Sequence, residues 1–223
     1  MVIADRAGSR AATDALLAEL RDSGWRSAAW GRFVARATRR SIRQAAPRPR
    51  AVAEVTLLHA AFLLLARGRG AGWTTVSWLL CLTHLGMLEE RSSIGPANAL
   101  TLLRAHLPHL GAGGRWLGLV AIATDLLDGR LARARGETTA FGDYADSFAD
   151  AAFWIWFAVR HEPNPRVRAA ALAAWAAPVA VVTAAAFARG KMVDRPWPAL
   201  LRPAAVFQAV LAFRAGTHRD VPA

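Results

Sequence analysis

The sequence predicts an all-α fold, a polytopic membrane helix bundle of about six to seven spans behind an amphipathic N-terminal helix. Three observations carry that expectation. Hydrophobic residues make up 54% of the 223, and the mean hydropathy is positive although 20% of residues are charged. The apolar residues gather into seven segments, at 51–66, 71–88, 98–110, 116–127, 139–159, 169–188 and 197–213. Basic residues outnumber acidic ones by 28 to 16, for a formal charge of +12, and much of that excess lies just before the first apolar segment.

Residues 11–44 read as an amphipathic helix, with Leu16, Leu17 and Leu20 on one stripe and Trp25 and Trp30 further along. Residues 32–50 carry seven arginines and no acid, as expected of a cytoplasmic juxtamembrane segment drawn to anionic headgroups. Residues 1–50 therefore form a membrane-surface region, and 51–93 an additional transmembrane hairpin. A catalytic core follows at 94–216, with a short tail at 217–223. The segments are separated by breakers: Arg67-Gly68-Arg69-Gly70, Gly95-Pro96, Gly111-Ala112-Gly113-Gly114, Pro163-Asn164-Pro165 and Arg195-Pro196. With the arginine-rich region inside, alternation puts 89–95, 129–137 and 189–196 on the cytoplasmic face of a multi-pass protein of the cell membrane.

Composition also excludes. The apolar segments make nucleic acid an improbable partner for the basic charge and favour membrane lipids. Cys81 is the sole cysteine, so an intrachain disulfide and a cysteine-based zinc site are both ruled out. The N-terminus has no apolar run after its first charges, and no cleavable signal peptide is expected. Lys191 is the sole lysine, and the Ala/Arg/Gly bias is that of a GC-rich, bacterial type of genome.

The chemistry concentrates between the fourth and fifth apolar segments. Asp125 and Asp128 are three apart, and Asp146 and Asp150 four apart, so each pair shares a helix face. Two antiparallel helices would bring all four together. Carboxylates flanked by apolar segments are costly unless paired or bound to a cation, and four in one pocket repel unless protonated or neutralised by hard divalent ions. With no histidine or cysteine ligand nearby, the donor set favours Mg²⁺ or Mn²⁺ over zinc, one or two ions per site. Such a cluster suits phosphate or pyrophosphate chemistry. Gly129 and Gly142 would let a substrate approach the backbone, Ala132 is similarly small, and Arg133 can offset phosphate charge. Asp143 is expected to point off the Asp146/Asp150 face.

From Asp125 to Asp150 the run resembles the CDP-alcohol phosphatidyltransferase signature, D-x2-D-G-x2-A-R-x8-G-x3-D-x3-D, matching every fixed position. Upstream, Pro96 through Arg104 is similar to that family's first core helix, with one alanine inserted between proline and asparagine. The resemblance implies a homodimer with a helical membrane core and a site open to the cytoplasm. It implies that Asp125, Asp128 and Asp146 bind metal, and that Asp150 is the general base and also touches metal. The nucleotide of a CDP-linked lipid donor, CDP-diacylglycerol above all, would lie against Gly129, Ala132 and Gly142. Arg133 and Thr139 would contact its phosphates, with Asn98 and Thr101 contributing and Arg104 a further candidate. A small polar alcohol would attack the donor phosphorus and release CMP.

The chain departs from the family's usual six-span core, because two apolar segments follow the signature where three are usual and the hairpin at 51–93 precedes it. Arg189 and Lys191, ending the sixth segment, are candidates for an acceptor phosphate. Glycerol 3-phosphate, inositol phosphate, serine and a second phospholipid all suit the same apparatus. Two other readings compete: a membrane prenyltransferase with an Asp-rich Mg²⁺ site, whose motifs normally lie far apart in sequence, and a non-catalytic lipid-binding paralogue.

Overall fold

The computed structural model describes residues 2–110, 114–193 and 198–217, and no strand occurs among them. The described helices are α1 (Val2–Asp22), α2 (Ser27–Ala45), α3 (Pro49–Leu65), α4 (Ala71–His84), α5 (Gly95–His106), α6 (Leu117–Ala134), α7 (Ala140–His161), α8 (Pro165–Arg189) and α9 (Pro198–Thr217). Short 3-10 turns extend α4 through Leu88 and α5 through His109. The breakers at 111–113 and at Arg195-Pro196, Trp197 at the head of the last apolar segment, and the tail beyond Thr217 lie outside the described residues.

The N-terminal region differs from the single helical stretch expected over 11–44. The chain reverses between α1 and α2, where Gly24 and Trp25 take φ of 64° and 62°. Glycine adopts that left-handed conformation without a Cβ penalty, and it ends the helix. The resulting hairpin docks on α8: Trp25 and Trp30 both meet Phe187 with ring centroids 5.7 Å apart.

Other boundaries follow local chemistry. Thr139 caps α7, its hydroxyl oxygen accepting from the Gly142 N–H at 3.1 Å. Asn164 does the same for α8, accepting from the Arg166 N–H at 2.9 Å, with Pro165 next in the first turn. Glu54 on α3 fixes the entry to α5, accepting from the Ile94 N–H and the Ser93 hydroxyl at 2.8 Å each.

Two apolar clusters organise the bundle. One joins α3, α4, α5 and α7 through Val55, Phe62, Leu85, Leu102 and Phe141. The other joins α6, α7, α8 and α9 through Ala121, Phe153, Phe157, Ala171 and Leu211. Asp146 and Asp150 fall on α7 between its contributions to the two clusters, so the polar residues occupy the seam. The hairpin α3–α4 covers α7 on the first side, where Trp73 stacks on Phe148 with centroids 5.2 Å apart and His84 on Tyr144 at 4.0 Å.

Among the described residues, α8 is the one helix long and apolar enough to cross a membrane by length and composition. The six or seven spans expected are not matched by that criterion, for a physical reason. Helices α3, α4 and α5 have 17, 14 and 12 residues, short of the roughly 20 of a perpendicular span. Helices α6 and α7 carry the charged motif. The exterior is nonetheless apolar, with Leu57, Leu64, Leu79, Leu126, Val179 and Phe213 exposed while Arg104, His106, Asp128 and Glu162 are buried.

Candidate active site

Helices α5, α6 and α7 pack against one another and bring the four aspartates to one place. Close approach of α5 and α7 depends on Gly142: a Cβ there would come within 2.9 Å of the Asn98 side-chain oxygen. Asn98 is itself held by a bond from its Nδ2 to the Ile94 carbonyl at 2.7 Å. Thr101, one turn on, donates its hydroxyl to Asp128 Oδ2 at 2.7 Å, tying α5 to α6.

The centre of the site is Arg104, whose side chain is wholly buried. Its Nη1 lies 3.0 Å from Asp125 Oδ1 and 3.2 Å from Asp128 Oδ2. Its Nη2 pairs with Asp146 Oδ1, and its Nε lies 3.0 Å from Asp150 Oδ1. One planar guanidinium therefore contacts all four signature carboxylates, a use of its fork of donors that a lysine could not reproduce. A buried cation of this kind is tolerable only because it is paired.

Oxygens of Asp125, Asp128 and Asp146 lie within 4.8 Å of one another, close enough to share a metal ion. The donors are all hard carboxylate oxygens, the choice of Mg²⁺ or Mn²⁺, and the same carboxylates already gather around a cation. The residues thus fit the group. Asp150 is set apart from that trio. Its Oδ2 accepts from Gln208 Nε2 of α9 at 3.0 Å. Its Oδ1, though 3.0 Å from Arg104 Nε, is not aligned with it as a hydrogen bond and has no hydrogen-bond partner among the described residues.

A cleft of about 300 Å³ opens over the trio. All seven residues expected to hold the CDP-linked donor line it: Asn98, Thr101, Gly129, Ala132, Arg133, Thr139 and Gly142. The Arg133 guanidinium folds back over Gly129, its Nη1 3.3 Å from where a Cβ would stand. Glu137, Thr138 and Asp143 also line the cleft, so Asp143, expected to point away, sits at its edge. Arg189 and Lys191 are not among the lining residues. They lie exposed at the α1–α8 junction, where Arg21 Nη1 donates to the Arg189 carbonyl at 2.8 Å.

Two features escaped sequence reasoning. Arg104 stood there as one further candidate, whereas it is the shared partner of all four acids. Gln208 was missed, and its signal was a lone amide within an otherwise apolar segment, where a polar side chain requires a partner.

The described helices bring three carboxylates and a buried arginine together beneath a cleft, an arrangement that could hold a hard cation. The family model for CDP-alcohol phosphatidyltransferase matches residues 96–216, more than half of the chain, and the protein belongs to that family. No curated protein and no solved structure matches it. Membership implies transfer of a substituted phosphate from a CDP-alcohol to an alcohol, in a family that uses divalent metals and is generally membrane-associated. The prenyltransferase reading is thereby set aside.

Proposed function

We propose that the protein moves a phosphatidyl group from CDP-diacylglycerol to a small polar alcohol, releasing CMP, in a multi-pass bundle whose cleft faces the cytoplasm. The observation that carries this reading is that the cleft over Asp125, Asp128 and Asp146 is lined by every residue assigned to the CDP-linked donor. The many exposed apolar side chains, Leu57, Leu64, Leu79, Val179 and Phe213 among them, support lipid-facing helices around a buried arginine. On this reading most of α3–α9 lies within the bilayer, and packing and tilt accommodate the shorter helices.

Asp125, Asp128 and Asp146, joined by Asp150 if a second ion binds, would hold Mg²⁺ or Mn²⁺. Bound there, the ion supplies charge neutralisation for the donor phosphates. The chain's own residues do the rest. Gly129, Ala132 and Gly142 leave room for the nucleotide, and Arg133, Asn98 and Thr139 offer it polar contacts. Asp150 is the residue that takes the proton of the attacking hydroxyl, and Gln208 holds its Oδ2. The alcohol oxygen forms the new P–O bond as the bond to CMP breaks. The exposed Arg189 and Lys191 supply cationic surface to an anionic acceptor, and the active unit is a homodimer.

The test is to supply the purified protein in lipid nanodiscs with CDP-diacylglycerol, Mn²⁺ and a panel of alcohols. Acceptor-dependent CMP release, with the new lipid identified by mass, is the expected result. CMP release with no acceptor of the panel, or none with any, would refute the phosphatidyl-transfer reading.

A further inference from the structure

We infer that Arg104 is the site's built-in counter-ion: it holds the four aspartates together when no metal is bound, and its fixed positive charge keeps divalent-metal binding weak and exchangeable. The inference rests on the metal reading of Asp125, Asp128 and Asp146 and concerns what opposes that metal.

The geometry leaves Arg104 no other role of equal extent. Its side chain has no solvent exposure, and its three nitrogens all lie within ion-pair distance of four carboxylates on two helices, although Nε makes no aligned hydrogen bond. Formally one guanidinium against four carboxylates leaves three negative charges uncompensated. That is enough repulsion to spread α6 from α7 if the arginine were absent, and enough attraction to draw in divalent ions when they are present. The acids differ in access. Side chains of Asp125 and Asp146 are 39% and 47% exposed, whereas Asp128 and Asp150 are 8% and 14% exposed. The arginine approaches from the protein interior and a metal would approach from the cleft, so the two cations meet at the same carboxylates. Each therefore lowers the affinity of the other, whether the ion displaces the guanidinium or binds opposite it.

A residue that only braced the bundle would weaken the metal-bound and metal-free proteins alike. A counter-ion behaves differently. Removing it loosens the metal-free protein but tightens the metal.

The experiment measures Mn²⁺ affinity by the loss of the free-ion paramagnetic resonance signal, and melting temperature with and without saturating Mn²⁺, for wild type, Arg104→Gln and Arg104→Lys in detergent. Arg104→Gln is expected to bind Mn²⁺ roughly tenfold or more tightly than wild type, because one opposite charge at such distances shifts a carboxylate's cation affinity by about 1–3 powers of ten. Its metal-free melting temperature should fall, and its gain on adding Mn²⁺ should exceed the wild-type gain. Arg104→Lys keeps the charge without the fork, folds more readily, and should lie between the two in affinity. Affinity at or below wild type in the variants that fold, or equal gains on adding metal, would overturn the inference. Failure of wild type and variants alike to bind Mn²⁺ would instead overturn the metal reading on which it stands.

Discussion

Gln208 on α9 donates to Asp150 on α7 over 3.0 Å, so the oxygen of the proposed base that faces away from Arg104 is held by the helix nearest the C-terminus. Replacing Gln208 by Leu removes that donor and frees the carboxylate to rotate. Turnover is expected to fall roughly tenfold, a part of the 10²–10⁴ that positioned acid–base chemistry supplies, with little change in donor KM. Steady-state CMP release with varied CDP-diacylglycerol checks it.

Helix α9 is itself pinned at its end. Arg214 donates to both oxygens of the buried Glu162, at 2.7 and 2.9 Å, and so ties α9 to the C-terminal end of α7. Glu162→Ala removes this two-point contact. The melting temperature in detergent should drop by several degrees, and turnover should drop with it because Gln208 loses its register. Unchanged turnover at a lowered melting temperature would separate the clamp from the site.

Gly118 marks a close helix approach on the far side. A Cβ there would meet Phe157 at 3.0 Å and the Ala212 backbone at 3.2 Å, and the backbone cannot turn aside. Gly118→Leu should therefore destabilise the bundle by about 1–3 kcal/mol, the usual cost of overpacking. Thermal unfolding followed by circular dichroism is the measurement.

Gly142→Ala acts on the donor instead. Its methyl would press on the Asn98 amide, 2.9 Å away, at the wall of the cleft. Donor KM is expected to rise about tenfold, and Asn98→Ala in the same chain should recover part of the loss, as residues in contact are coupled. A KM series over the two single variants and the double variant tests this.

The signature acids were legible because their spacing is a helical spacing, and α6 and α7 do bring them together. Asn98 and Thr101 were reached through the resemblance of Pro96 through Arg104 to the family's first core helix, and both line the cleft. Arg104 was harder to read. An arginine near the end of an apolar segment has the same sequence signature whether it reaches outward to headgroups or inward to carboxylates, and only packing decides. The break at Gly24 and Trp25 was hidden because a glycine within an amphipathic pattern is tolerated as often as it terminates a helix. The span count could not be read off helix length, because α3, α4 and α5 have 17, 14 and 12 residues, with 3-10 turns continuing the last two. Arg189 and Lys191 show the converse: basic residues in the expected place that the fold leaves outside the cleft.

Metal removal provides a further check. Chelation with EDTA should abolish turnover, and Mg²⁺ or Mn²⁺ should restore it. Ca²⁺, larger and looser in its coordination, should restore little.

The most direct measurement compares wild type with Asp150→Asn for Mn²⁺-dependent CMP release from CDP-diacylglycerol, alongside Mn²⁺ binding. The amide cannot take the acceptor's proton, so turnover is predicted to fall by at least about a hundredfold, while Mn²⁺ still binds at Asp125, Asp128 and Asp146. Turnover by Asp150→Asn at the wild-type rate would contradict the proposed chemistry.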